Sequence, residues 1–260
     1  MKFEERLSVT LTCQEHKIFA ILHLPLGVKR APCALFCNGF GGFKSAKYRL
    51  AVRQAELLAK AGIATLRFDY RGTGDSEGSF SEVTIKSQLE DARECISYLK
   101  NHDAIDASRF GILGRSMGGV IATKLASEVK PRALLLWAPV FDATPWLDGR
   151  SNHRAVRYED DGITFAGQRL NPEFISELPT LSVEKSLSAV AHTPLFVIQG
   201  EQDAVLNSFH LQKYIAARKG VEGQTDTLLL PKSDHDFHHP SEQETLLDAT
   251  TDWFCRYLKD

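Results

Sequence analysis

The chain has 260 residues, of which 43% are hydrophobic and 25% charged, ordinary proportions for a globular protein. A formal net charge of -2 offers no basic field, so we expect neither nucleic acid nor an anionic membrane surface as a partner. The most apolar stretch, Ala133–Val140, is too short to cross a bilayer, and the first residues lack the apolar core of a signal peptide.

The length suits one α/β domain with an insertion, or two small domains. Five cysteines form an odd set without the spacing of a disulfide framework: Cys13, Cys33, Cys37, Cys95 and Cys255. We interpret them as reduced, mostly buried thiols, which is typical of a cytoplasmic protein.

The chain starts with two extended segments, Leu7–Leu11 and Ile18–Leu24, which predict an antiparallel hairpin at a sheet edge. Apolar runs then predict six strands: Cys33–Cys37, Ala64–Phe68, Phe110–Leu113, Ala133–Trp137, Leu195–Gln199 and Thr227–Leu230. Helical patterns predict five helices between and after them: Ala46–Ala61, Thr84–Asn101, Met117–Glu128, Ser208–Lys219 and Glu242–Leu258. Short apolar strands alternating with helices indicate an α/β fold whose mostly parallel sheet is covered on both faces.

One stretch, residues 141–191, interrupts this alternation and is too long for a plain loop. Inside it, Arg154–Tyr158 and Ile163–Phe165 flank an Asp-Gly turn and predict a hairpin. Asn171–Glu177 predicts a short helix that begins with an Asn cap and a proline. We therefore predict a core domain formed by residues 1–140 and 192–260. Residues 141–191 are predicted to form a cap over an active site.

A G-x-S-x-G motif, Gly114–Gly118, stands at the corner between a predicted strand and a predicted helix. Glycines at these positions let a serine occupy a tight turn without collisions, so the hydroxyl projects from the fold. The following helix N-terminus favours developing negative charge. Ser116 is the candidate nucleophile, and the alternative is a structural serine in an ordinary turn.

A serine hydroxyl needs a base to take its proton, and that base needs an acid to orient it. Asp203 and His235 each follow a predicted strand, so both side chains belong at the same sheet edge as Ser116. The chain order is serine, acid, histidine. We predict His235 as general base and then general acid, with Asp203 orienting it, and Glu201 as the alternative acid.

The glycine-rich turn Asn38–Gly42 follows the first core strand and exposes backbone N–H groups. We predict that the N–H groups of Phe40 and Met117 form an oxyanion hole, where each donor contributes roughly 3–4 kcal/mol.

Aromatic residues suggest a pocket for the acyl group. Trp146 and Phe165, in the cap, are the candidate substrate-binding residues, and Trp137 and Phe174 are further candidates. Each is equally suited to core packing.

Two other patterns have plainer interpretations. His235, His238 and His239 lie close together, but no matching ligand set accompanies them, so we predict no metal and no cofactor. Asp69–Gly78 lacks the Lys-Ser/Thr ending of a phosphate-binding loop and is interpreted as a structural turn at the rim of the active site.

Five motifs now stand in order along the chain: Asn38–Gly42, Asp69–Gly78, Gly114–Gly119, Gly200–Asp203 and Asp234–Phe237. From about residue 5 to 258, this set resembles the α/β-hydrolase superfamily. Within it, the chain resembles the bacterial cinnamoyl (feruloyl) esterases and serine aminopeptidase-like hydrolases. The resemblance implies an α/β-hydrolase fold with a small cap and a Ser-His-Asp triad.

Two residues depart from the pattern of that family. Asn38 stands where a histidine is usual, and the backbone role of the turn should survive the change. Arg115 precedes the nucleophile, where histidine, tyrosine or an apolar residue is commoner. We expect Arg115 to be buried against an acid or to face the cap.

The predicted function is a serine hydrolase that cleaves a small-molecule ester through an acyl-enzyme intermediate. A thioesterase or peptidase of the same fold, and a non-catalytic ligand-binding protein, are the alternatives, because one fold hosts many functions. The sequence leaves the oligomeric state open and is compatible with a homodimer.

Overall fold

The computed structural model describes residues 2–144, 156–160 and 162–259. The strands of these residues are β1 Glu4–Cys13, β2 His16–Pro25, β3 Ala31–Cys37, β4 Ala64–Phe68, β5 Ile105–Arg115, β6 Ala133–Trp137, β7 Val156–Glu159, β8 Gly162–Phe165, β9 Gln168–Arg169, β10 Leu195–Gly200 and β11 Thr225–Leu230. Eight of them form the main sheet in the order β1-β2-β4-β3-β5-β6-β10-β11, and β7-β8-β9 form a small sheet.

The main sheet is parallel from β4 to β11, and β1 and β2 add an antiparallel hairpin at one edge. Every residue of β3 and β4 is buried, as a sheet covered on both faces requires. This confirms the predicted α/β-hydrolase fold with a mostly parallel central sheet.

Seven α-helices occur in the described residues: α1 Leu50–Lys60, α2 Ile85–Lys100, α3 Met117–Val129, α4 Pro172–Glu177, α5 Val183–Ser188, α6 Ser208–Ala217 and α7 Pro240–Leu258. Helices α1 and α7 pack on one face of the sheet, and α2 and α3 pack on the other. Along β3, Leu35 faces one of these two cores and Phe36 faces the other, because side chains alternate along a strand. The carboxyl edge of the sheet is left for the site.

The first predicted helix starts later than expected. Ala46, Tyr48 and Arg49 have φ values of 53°, 54° and 57°, which an α-helix excludes, so α1 begins at Leu50 rather than at Ala46. A short 3₁₀ segment, Lys47–Arg49, precedes it and carries Lys47 to the rim of the site.

The chain leaves the main sheet after β6 and rejoins it at β10. Between them, β7 and β8 pair as an antiparallel hairpin, and β9, which the sequence did not predict, adds a third strand. The Asn171 side chain accepts a hydrogen bond from the Glu173 N–H at 2.8 Å and caps α4 as predicted. Glu177 at the end of α4 accepts from the N–H groups of Ile85 and Lys86, at 2.6 and 3.2 Å. These bonds fasten this segment to the N-terminus of α2, where a carboxylate is favoured.

All five cysteines are free thiols, and four of them are buried. Over residues 2–144, 156–160 and 162–259, no helix combines the length and apolarity that crossing a membrane requires.

Arg218, at the end of α6, is only 4% exposed and ties together the loops around β10 and β11. Its guanidinium donates to the carbonyls of Val190, Thr193 and Gly223 and to the Thr225 hydroxyl, at 2.8 to 3.2 Å. A lysine has a single ammonium and cannot reproduce this fan of donors.

Arg218→Lys should therefore lower the free energy of unfolding by about 3 kcal/mol, because buried carbonyls lose their donors. Urea denaturation measures the change. Arg93→Lys is the matched control, since Arg93 forms an exposed ion pair with Glu128 and should change stability by less than about 1 kcal/mol. Equal losses in the two variants would contradict this role of Arg218.

Candidate active site

Ser116 occupies the single position between β5 and α3, with φ 54° and ψ −122°. Such a conformation is costly for a side-chain-bearing residue, by roughly 1–3 kcal/mol, and persists only where the surroundings enforce it. The Ser116 N–H donates to the Trp137 carbonyl at 2.9 Å, and its own carbonyl accepts from Gly119 and Val140. The backbone around the serine is therefore fixed from both sides.

Three glycines of the motif are required by close packing. A Cβ at Gly114 would lie 2.5 Å from the Gly118 oxygen, and one at Gly118 would lie 2.2 Å from the carbonyl oxygens of Cys37 and Asn38. A Cβ at Gly119 would lie 2.7 Å from Pro139 Cβ. Helix α3 can thus approach the ends of the strands closely enough to place its N-terminus behind Ser116.

The structure brings the predicted base and acid to this serine. His235 Nε2 lies 3.1 Å from Ser116 Oγ, and His235 Nδ1 lies 2.8 Å from Asp203 Oδ2. The three side chains come from loops after β5, β10 and β11, at the carboxyl edge of the sheet. Glu201, the alternative acid, is exposed, and its backbone N–H donates to the Leu230 carbonyl at the end of β11.

The Asp203 carboxylate is held by more donors than the histidine. Its side chain is 1% exposed, and Oδ1 accepts from the N–H groups of Val205 and Leu206 at 2.9 and 2.7 Å. Gln199, on β10, donates to Oδ2 at 2.7 Å and to the Leu206 carbonyl at 3.0 Å. These donors fix the direction of the carboxylate toward His235.

The turn after β3 lies against the serine. A Cβ at Gly39 would be 3.2 Å from Ser116 Cβ, so Gly39 permits this contact. The next residue is Phe40, and neither its N–H nor that of Met117 has an acceptor among the residues that the structure describes. The Asn38 side chain donates to the Phe68 carbonyl at 2.9 Å, which anchors the turn to the end of β4.

A cavity of about 300 Å³ opens above Ser116. One wall is apolar, and Phe40 forms its centre, with ring centroids 5.2 Å from Phe165 and 4.3 Å from Phe174. Its further apolar lining comes from Val156, Ile163, Leu170, Ile175, Leu178 and Val205. Phe165 therefore lines the cavity, and its role in substrate binding stays a prediction.

The tryptophan candidates have other outcomes. Trp137, the last residue of β6, is fully buried in the core between the sheet and helices α1 and α7. It packs on Phe36 and Phe237 and donates to Thr250, so it does not line the cavity. Trp146 lies outside the described residues.

Charged side chains also line the cavity. Arg115 Nη2 donates to Asp236 Oδ1 at 2.5 Å and to the His235 carbonyl at 3.2 Å, and Lys47 also pairs with Asp236. Burial opposes ionisation of Asp236, but the Lys47 hydrogen bond and the Arg115 charge hold the pKa of that carboxyl below its usual value. Of the two placements expected for Arg115, the structure has it against an acid.

Sequence patterns alone did not identify Gln199, Lys47 or Asp236 as parts of the site. The one sequence signal for Gln199 is a glutamine that ends an apolar strand segment four residues before Asp203. Lys47 is separated from Asp236 by 189 positions, and no local pattern joins the two.

The remaining motifs have structural surroundings. Asp69 is fully buried and accepts from the Lys44 ammonium and N–H and from the Asp75 N–H, which fixes the loop after β4. Asp234 accepts from the N–H groups of Asp236 and His238. In the part of the chain that the structure describes, no group of three or more His, Cys, Asp or Glu side chains could hold a metal ion.

The prolyl oligopeptidase family matches residues 49–260. The chain belongs to that family. AidA, a quorum-quenching protein of Acinetobacter baumannii (strain MDR-ZJ06), is 36% identical over 218 residues, which cover 82% of this chain and 69% of AidA. An uncharacterized protein of Mycobacterium tuberculosis is 28% identical over 186 residues, 72% of this chain and 57% of the relative. The match thus leaves a substantial part of each relative uncovered.

Est1E of Butyrivibrio proteoclasticus, whose structure was solved with ferulic acid, shares the fold with a TM-score of 0.81. The alignment covers 97% of this chain and 100% of Est1E at 21% identity. The resemblance to feruloyl esterases is confirmed at the level of the fold. Family and fold together identify a hydrolase of the α/β-hydrolase superfamily.

The packing at Gly118 generates a prediction. Gly118→Ala should lower the free energy of unfolding by about 3 kcal/mol or more, because the new Cβ meets two carbonyl oxygens of rigid backbone. Gly220→Ala is the control: a Cβ there meets open space, and only its φ of 78° costs about 1 kcal/mol. Thermal and urea unfolding of both variants check this, and an unchanged stability of Gly118→Ala would refute the packing argument.

Proposed function

We propose that the chain hydrolyses carboxylic esters through an acyl-enzyme intermediate on Ser116. The observation that carries the proposal is the hydrogen-bonded line from Ser116 Oγ through His235 to Asp203, which opens into a largely apolar cavity. A serine hydroxyl aligned with an oriented histidine is the arrangement that activates a nucleophile.

In the first half-reaction, Ser116 Oγ bonds to the acyl carbon while its proton passes to His235 Nε2. The carbonyl oxygen becomes an oxyanion, which the N–H groups of Phe40 and Met117 stabilise. His235 then protonates the leaving oxygen as the carbon–oxygen bond breaks. In the second half, His235 takes a proton from water, the hydroxide adds to the acyl carbon, and Ser116 leaves with the returned proton. Throughout, the Asp203 carboxylate accepts a hydrogen bond from the N–H at His235 Nδ1.

The cavity favours an apolar acyl group over an aminoacyl group. The one carboxylate among its described lining residues is Asp236, which is already paired with both Arg115 and Lys47. The free α-amine of an aminopeptidase substrate would therefore find no uncompensated negative partner there. Phe40, Phe165 and Phe174 instead offer aromatic surface to a hydrocarbon chain or ring.

Family membership makes a peptidase the second candidate function. A thioesterase is the third, since a thioester, whose leaving atom is sulfur instead of oxygen, would react by the same steps. A panel of p-nitrophenyl esters, acyl-CoA thioesters and aminoacyl p-nitroanilides compares these classes. A fluorophosphonate probe should label the wild-type protein and leave Ser116→Ala unlabelled, and the alanine variant should lose nearly all ester hydrolysis. A labelled or active alanine variant would place the nucleophile elsewhere.

The acid can be assigned by a matched pair of variants. Asp203→Asn should lower turnover by roughly 10⁴-fold, because the amide orients the wrong histidine tautomer. Glu201→Gln, two residues away and exposed, should change turnover less than about twofold. Steady-state kinetics on the best ester give both values, and the reverse order would assign the acid to Glu201.

The apolar wall should set acyl preference. Phe165→Ala removes one ring from the cavity, so the preferred acyl chain length of p-nitrophenyl esters should change. The difference in activation free energy between the best chain and the next longer or shorter one should change by about 1–3 kcal/mol. Fluorophosphonate labelling of Ser116 should persist, because the nucleophile lies on the core beneath. Tyr158→Ala is the control, since Tyr158 belongs to the same small sheet but lies outside the cavity lining. An unchanged ranking in Phe165→Ala would remove Phe165 from the substrate pocket.

A further inference from the structure

Lys47, Arg115 and Asp236 form a cluster that we name the cationic rim. All three line the cavity that also contains Ser116 and His235. Two positive groups share one carboxylate, and the Lys47 hydrogen bond and Arg115 charge keep the pKa of Asp236 low despite burial, so the cluster carries one net positive charge at neutral pH. This charge faces the same cavity as the aromatic wall.

Arg115 has hydrogen-bonding capacity left over. Both of its bonds, to Asp236 and to the His235 carbonyl, use Nη2. Within the described residues, neither Nη1 nor Nε has an acceptor. Nη1 would lie 3.5 Å from a Cβ on Gly39, a position that is itself 3.2 Å from Ser116 Cβ, so Nη1 lies beside the nucleophile. The Arg115 side chain is only 12% exposed, and a nearly buried guanidinium with free donors suits an anionic acceptor.

The cationic rim lies on the histidine side of the cavity. Arg115 bonds to the His235 carbonyl, and Asp236 is the residue next to His235 in the chain. Because the histidine delivers its proton to the leaving oxygen, the leaving group must pass on this side. The aromatic wall around Phe40 then remains for the acyl group.

We propose that the cationic rim binds a carboxylate on the leaving group, so that the preferred substrates are esters of an apolar acid with an anionic alcohol or phenol. Arg115 provides the hydrogen bonds through Nη1 and Nε, and Lys47, whose side chain is 56% exposed, adds charge at the entrance. The inference rests on the proposed ester hydrolysis. It specifies which half of the ester is charged.

The test compares two esters with the same butyryl group, p-nitrophenyl butyrate and its ring-carboxylated analogue. The ratio of their kcat/KM values isolates recognition of the carboxylate from any general effect on the catalytic groups. The wild-type ratio, corrected for the intrinsic alkaline hydrolysis of each ester, should favour the anionic ester by about tenfold at low salt and fall as salt is added.

Arg115→Gln should bring this ratio to about one, and Lys47→Gln should lower it by about threefold, since an exposed charge contributes less. Lys60→Gln makes the same change of charge outside the cavity and should leave the ratio unchanged. If Arg115 only supports the His235 loop, Arg115→Gln lowers kcat for both esters equally and keeps the ratio. That result, or a wild-type ratio near one, overturns the inference.

The two proposals fail differently. Turnover of the neutral ester and fluorophosphonate labelling of Ser116, without preference for the anionic ester, would leave ester hydrolysis standing and reject the role of the rim. Absence of both labelling and turnover with either ester would reject ester hydrolysis, and the role of the rim with it. Should Arg115→Gln fail to fold, the exposed Lys47→Gln variant and the salt dependence of the wild-type ratio decide the question.

Discussion

The strained backbone of Ser116 is the constraint on which the site depends. A φ of 54° costs free energy, and it is maintained because glycines let α3, the end of β3 and the Gly39 turn approach the serine. The same close approach places the turn N–H groups and the helix N-terminus around one hydroxyl. A side chain at Gly118 would disturb both the packing and the placement of the Ser116 hydroxyl.

The order of the strands lets three distant sequence segments meet at that hydroxyl. Parallel strands β5, β10 and β11 end at one edge, so the loops that follow them converge. The nearby carboxylates differ in their surroundings: Asp203 is enclosed by backbone donors, Glu201 faces solvent, and Asp236 is paired with Arg115 and Lys47. Of the three, Asp203 is the carboxylate that bonds to His235 Nδ1.

The sequence predicted the elements that local pattern determines. It missed the backbone turn just before α1 and the contacts between distant segments. Apolar runs such as Ala64–Phe68 and Ala133–Trp137 matched the strand bounds, and the G-x-S-x-G motif lies at the predicted corner between a strand and a helix. The predicted start of α1 was wrong. Ala46, Tyr48 and Arg49 have positive φ values, and no glycine or proline among them signals that the helix begins later. The pairing of Lys47 with Asp236 depends on tertiary placement, which periodicity does not report.

Direct detection of a covalent acyl group on Ser116 tests the central claim. The protein is mixed with excess p-nitrophenyl ester, quenched in acid within milliseconds to seconds, digested and analysed by peptide mass spectrometry. The account predicts an acyl adduct on the peptide that contains Ser116, formed with a burst of p-nitrophenol equal to the enzyme concentration if deacylation is slow. Two results would contradict an acyl-enzyme on Ser116. One is a burst of p-nitrophenol with no adduct at any quench time, and the other is an adduct on another residue.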